Sequence, residues 1–206
     1  MSQLAEMLAA GIAEMGLQVS AEAQQALLAY LALLHKWNKV YNLTAVRDPM
    51  EMVTLHLLDS LSVLPYIKSK NLLDVGSGGG LPGIVLAICL PELQVTTIDA
   101  VQKKAIFMRQ VKGELGLDNL NVVHARVERF EPAEQFEVII SRAFSELNLF
   151  MALTQHLLVE GGSWFAMKGV SPKQELEGLS IAESEIYPLS VAGLEAERHL
   201  AVIEKF

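Results

Sequence analysis

The sequence predicts an α/β protein: a mainly parallel sheet with helices on both faces, preceded by a helical extension. Three observations lead there. Residues 1–70 carry helical apolar spacing and helix caps. From Asn71 onward, short apolar runs alternate with amphipathic segments of helix length. The first of these runs opens directly into a cluster of glycines, Gly76, Gly78, Gly79, Gly80 and Gly83. Strands separated by helix-length crossovers pair in parallel, and the crossovers cover both faces of the sheet. The expected organisation is an extension over 1–70 and a sheet unit over 71–206, together forming one compact body.

Each element has a local reason. Ser20 is a helix N-cap for 21–38, where Leu27, Leu31 and Leu34 fall at i, i+4 and i+7. Asp48-Pro49-Met50-Glu51 supplies a cap, a proline at the first helical position and a capping-box glutamate, predicting a helix toward Ser60. Asn71–Val75 is a short apolar strand, and a helix follows over 82–90. A β-rich run over 94–98 ends in Asp99, and an amphipathic helix over 101–115 stops at Gly116. Strands are expected at 121–124, 136–141 and 163–168, with a helix near 146–158. Segments 184–189 and 199–204 suit a closing antiparallel pair.

Composition narrows the class. Hydrophobic residues make up 51% of the 206 and charged ones 19%, enough for a full core and too apolar for disorder. The longest apolar run, 26–34, falls well short of the ~18 residues that suggest a membrane span. The N-terminal stretch has acids at Glu6 and Glu14 and no basic start, so a cytoplasmic location with no membrane partner is expected. The net charge is −8, yet residues 36–142 are balanced at twelve bases and twelve acids. A polyanionic partner would therefore dock on that middle third.

The glycine loop asks for a ligand, because glycine is costly in ordered structure unless something approaches its backbone. A P-loop needs Lys and Ser or Thr after its last glycine, and Ile84 follows Gly83. The spacing Gly78-Gly79-Gly80-Leu81-Pro82-Gly83 does satisfy the dinucleotide pattern, with Asp99 about where a ribose-binding acid belongs. Asp74, two residues before Gly76, opposes that reading, since a pyrophosphate there would meet a carboxylate. S-adenosylmethionine carries ammonium and sulfonium charge and no phosphate. On that reading Gly76 and Gly78 admit its amino-acid part, Asp74 faces the cationic ligand at the pocket mouth, and Asp99 accepts from the ribose hydroxyls.

Lys36-Trp37-Asn38-Lys39-Val40-Tyr41-Asn42-Leu43-Thr44, His56-x-x-Asp59-Ser60-Leu61, Asp74 through Gly83, Ser141-Arg142-Ala143 and Lys168-Gly169 occur in that order. In these blocks the chain resembles the bacterial small-subunit rRNA guanine-N7 methyltransferase family (RsmG, also called GidB). The resemblance implies a class I S-adenosylmethionine-dependent methyltransferase fold, Rossmann-like. It implies guanine 527 of 16S rRNA as acceptor, whether in free RNA or within the small subunit. It also implies a cofactor site lined by Gly76, Leu81, Val127, Glu128 and Arg142.

The residues narrow the acceptor separately. Methylation of an exocyclic amine typically uses an Asn/Asp-Pro-Pro-aromatic loop after the fourth strand, where this chain has Ser141-Arg142-Ala143-Phe144. Carbon methylation needs a cysteine nucleophile, and Cys89 sits in an apolar helix. Ribose 2′-O transfer needs a base, for which Lys168 is the candidate. Guanine N7 offers a lone pair and no proton, so positioning suffices and no catalytic base is expected. His56 and Asp59 lack a third metal ligand at suitable spacing, so a hydrogen-bonded helical pair is expected rather than a metal site. Lys36, Trp37, Lys39, Tyr41, Asn42 and Arg47 mix aromatics with positive charge, as single-strand RNA binding does. Packing of Trp37 and Tyr41 onto the sheet unit fits them equally. Arg142 suits either the cofactor carboxylate or an RNA phosphate. An NAD-dependent oxidoreductase and an RNA chaperone that binds the cofactor without transferring its methyl are the rival readings.

Overall fold

A computed structural model describes residues 3–144, 146–177 and 183–205. Two helices lead, α1 (Gln3–Glu14) and α2 (Ala21–Tyr41). The N-cap of α2 is Ser20, whose hydroxyl accepts from Ala23 N–H at 3.1 Å. Asp48 caps the next segment through Met50 N–H. That segment is not the continuous α-helix expected: α3 (Pro49–Met52) passes into a π-helical turn, Val53–Leu58, before α4 (Asp59–Leu61). The caps that signal the start say nothing of the wider turn inside.

The sheet strands are β1 (Asn71–Val75), β2 (Gln94–Asp99), β3 (Leu120–His124), β4 (Phe136–Ser141), β5 (Leu158–Lys168), β6 (Ser184–Pro188) and β7 (His199–Glu204). Their order is β3-β2-β1-β4-β5-β7-β6. The first five are mutually parallel, and β7 runs antiparallel to both β5 and β6. Between them lie α5 (Gly83–Cys89), α6 (Gln102–Leu115), α7 (Leu147–Thr154) and the short α8 (Lys173–Glu177). β5 starts five residues before the expected 163, because Gly161, at φ 72°, and Gly162 carry the chain through an irregular start rather than a turn.

Strand alternation sorts the core into two layers. On one face Leu72, Ile140 and Phe165 pack with Tyr30, Leu34, Val85 and Phe107 from α2, α5 and α6. On the other, Leu73, Ile139 and Trp164 pack with Leu147 and Phe150 of α7. The N-terminal helices thus share one core with the first face. This arrangement places the end of β1, the end of β4, the end of β5 and the start of β7 along a single sheet edge, beneath the π turn.

Candidate functional site

The site begins where β1 stops. Gly76 N–H bonds the Ile98 carbonyl at 2.9 Å, holding the loop against β2. Gly76 sits at φ 69°, and a Cβ there would lie 2.7 Å from the Ala143 Cβ. Only glycine meets both conditions, so the close approach expected of this loop is built into its backbone. Gly78, also at positive φ, donates its N–H to Asp99 Oδ2 at 2.9 Å. From the other side Tyr30, fully buried on α2, donates its hydroxyl to the Gly79 carbonyl at 2.7 Å.

Two cavities meet at Gly76. The larger, about 440 Å³, is lined by Gly76, Gly78, Leu81, Arg142 and Lys168, and across from the loop by Thr44, His56, Asp59 and Arg198. The smaller, about 210 Å³, is lined by Gly76, Asp99, Val127, Glu128 and Phe144. Seven of the eight residues expected at the cofactor therefore line this pair of hollows. In Asp99, Oδ1 accepts from Val101 N–H and Oδ2 from Gly78 N–H, so the carboxylate shapes the loop while facing the smaller hollow.

The eighth is corrected. Asp74 has no exposed surface and lines neither cavity; its Oδ2 accepts from Gly83 N–H at 2.8 Å beneath the loop. It is a brace for the start of α5, not a counter-charge at the mouth, because β1 ends with that side chain turned into the protein. Burial outweighs the Gly83 hydrogen bond and raises its carboxyl from 3.8 to about 7. The sign follows: the folded state keeps a proton that the unfolded chain releases above 3.8, so this group's contribution to stability falls as pH rises from about 4 to about 7, then levels off. Asp74→Asn should gain stability relative to the parent across that window. Denaturant melts at several pH values check this, and a constant difference would contradict it.

His56 and Asp59 do not bond each other as expected, because each is taken by other partners across the fold. His56 Nε2 pairs with Thr44 Oγ1 at 2.9 Å, and burial lowers its pKa, leaving the ring neutral at pH 7. Asp59, 4% exposed, is held by two arginines: Arg142 Nη1 donates to Oδ2 at 2.7 Å, and Arg198 Nε to Oδ1 at 2.9 Å. Arg142 Nη1 also donates to the Leu55 carbonyl. Lys168 donates to both carboxylate oxygens of Glu175, at 3.1 and 3.3 Å.

Lys36, Trp37, Lys39, Tyr41, Asn42 and Arg47 line neither cavity, although Leu34, Leu43 and Thr44 of the same segment line the larger one. Trp37 is packed, with its ring 5.6 Å from Phe107 and 5.1 Å from Tyr41. Arg47 closes the end of α2, donating to the Asn38 carbonyl and Asn42 Oδ1. Lys36, Lys39 and Tyr41 are exposed. Burial pushes the Cys89 thiol up to about 12, so it has no nucleophilic character. Arg198 and the Asp59 node were beyond sequence reasoning: 139 positions separate the partners, and no spacing marks them.

A parallel sheet with an antiparallel closing pair, a glycine loop after β1 and an acid ending β2 together define the class I methyltransferase fold. Solved structures agree on the fold. An O-methyltransferase from Bacillus cereus, solved in complex with SAH, matches at TM-score 0.64 and 17% identity, covering 98% of this chain and 100% of that one. One from Klebsiella pneumoniae, titled a putative O-methyltransferase, matches at 0.61 and 16% over 86% and 90%. The model of the family GidB, rRNA small subunit methyltransferase G, matches residues 23–201. The ribosomal RNA small subunit methyltransferase G of Methylobacillus flagellatus is 64% identical over 193 residues, 94% of each chain. That of Neisseria meningitidis serogroup C is 52% identical over 203 residues, 97% of this chain and 98% of the relative. The chain belongs to this rRNA small subunit methyltransferase G family.

Proposed function

We propose that the protein transfers a methyl group from S-adenosylmethionine to N7 of a guanine in small-subunit ribosomal RNA, with guanine 527 of 16S rRNA as the acceptor its resemblance implies. The observation that carries this is Gly76, which lines both a hollow beside Asp99, Val127 and Glu128 and a larger one that Arg142 lines. A methyl donor with a nucleoside at one end and an amino acid at the other fits such a pair, and a Cβ at Gly76, which lines both, would press on the Ala143 Cβ at 2.7 Å. When bound, the donor supplies an electrophilic methyl carbon on a sulfonium. The chain's own task is to hold the guanine so that the N7 lone pair faces that carbon; the C–N bond forms as the S–C bond breaks, and no proton moves.

The polar groups fit that modest task. His56 is neutral and engaged with Thr44, and Lys168 is ion-paired with Glu175, which disfavours its service as a base for ribose transfer. The reading uses no metal. The exposed Lys36, Lys39, Tyr41, Asn42 and Arg47 form the proposed RNA approach, with the partly buried Trp37 packed beneath them and Arg47 bonded to Asn42. The extension over 1–70 and the unit over 71–206 act as one body on this reading, supported by their shared core. A cytoplasmic location is proposed with it; among the described residues no helix is long and apolar enough to cross a membrane.

Transfer of label from tritiated S-adenosylmethionine to small-subunit rRNA, with the modified base mapped, tests the proposal. Label on a ribose, or none at all, would overturn it. A second expectation concerns the surface: replacing Lys36 and Lys39 by Gln together should weaken RNA binding and lower its salt dependence, by roughly 0.7 in log–log slope for each phosphate no longer neutralised. Cofactor affinity should not change. An unaltered slope would remove both lysines from the interface.

A further inference from the structure

Asp59 binds two guanidiniums, and one carboxylate neutralises only one of them. The cluster of Asp59, Arg142 and Arg198 thus keeps a net positive charge on the wall of the larger cavity. Asp59 is almost wholly buried, whereas the arginine side chains are 25% and 24% exposed. Arg198 spends Nε on Asp59 and Nη1 on the Glu197 carbonyl. Among the described residues its Nη2 is left with donors to offer the cavity it lines. A guanidinium anchored at both Nε and Nη1 holds its Nη2 donors in a fixed direction, which suits an oxyanion.

We infer that Arg198 binds a phosphodiester of the RNA strand at the target nucleotide, with Asp59 as the residue that positions it. The inference rests on the rRNA methyltransferase reading above. Two oxyanions could meet the cluster, an RNA phosphate and the cofactor carboxylate, and the strand order separates them. Arg142 follows β4, the strand next to β1 and its glycine loop. Arg198 precedes β7, two strands further along the same edge, roughly 10 Å at ~4.8 Å per strand. It meets Asp59 at Oδ1, whereas Arg142 meets it at Oδ2. Arg142 therefore serves the cofactor side and Arg198 the acceptor side, with Asp59 shared between them.

The test compares the parent with Arg198→Gln and Arg198→Lys in three measurements: S-adenosylmethionine affinity by titration, rRNA affinity across a salt series, and methyl transfer. Arg198→Gln should weaken RNA binding about tenfold and flatten its salt slope by about 0.7, while cofactor affinity stays within about twofold. Arg198→Lys should restore the slope but not the full affinity, because the charge returns without the fixed Nη2 donors of the planar group. RNA affinity and slope unchanged in Arg198→Gln would overturn the assignment. A tenfold loss of cofactor affinity with RNA binding intact would overturn it too, giving the carboxylate to Arg198. Should Arg198→Gln fail to fold, Arg198→Lys decides: the parent's slope with reduced affinity supports the phosphate contact, and full parental affinity overturns it. A parent that transfers no methyl to rRNA refutes the underlying reading instead, so the two failures are distinct.

Discussion

An RNA with 7-deazaguanine at the target position should bind the protein almost as well as the natural RNA and accept no methyl group. The substitution replaces N7 by carbon and leaves the Watson–Crick edge, the sugar and the phosphates intact. Three of the titratable groups along the larger cavity are engaged elsewhere, which disfavours each as a base toward another atom of the guanine or ribose: His56 is held by Thr44, Lys168 by Glu175, and Asp59 by two arginines. Single-turnover transfer beside an equilibrium binding measurement separates the two effects. Continued turnover on the 7-deaza substrate would sink the N7 assignment and return Lys168 and the ribose hydroxyl to consideration.

The second large effect is expected at Gly76. Gly76→Ala must hold an L-residue at φ 69° and place its methyl 2.7 Å from the Ala143 Cβ. The left-handed conformation alone costs about 1–2 kcal/mol. The clash adds to that unless the β4 end moves, which would shift Arg142 next door. Either response disturbs the wall that the two hollows share, so S-adenosylmethionine affinity should fall by more than tenfold, at about 1.4 kcal/mol per decade. Titration with the cofactor, alongside a thermal melt to confirm a folded protein, checks it. Affinity within twofold of the parent would mean that the ligand does not cross at Gly76.

Much of this architecture was legible because local signals and burial agree in it. Asn71–Val75, Phe136–Ser141 and His199–Glu204 are apolar runs bounded by turns, and the strands occupy those residues. Gly116 ends its helix in the left-handed conformation that glycine permits. The interruption after Met52 was not legible, since a π turn has no cap or breaker to announce it. Asp74 shows a different limit. Its place after the first strand was plain, but which way the carboxylate turns depends on the fit of α5 against β1, and Gly83 N–H captures it. Of the candidate site, the glycine loop, Asp99 and Arg142 were readable as a pattern. Asp59 and Arg198 became partners only through folding.

The hydrogen bond from Tyr30 to Gly79 makes the glycine loop a joint product of two stretches far apart in the chain. Leu34, on the same helix, would lie 3.1 Å from a Cβ at Gly79, so α2 also sets the loop's clearance. A chimera that joined the sheet of this protein to the leading helices of a distant homologue would inherit the binding loop's sequence without its scaffold. Exchange between relatives therefore has to carry helix and loop together, and drift in one is answerable to the other.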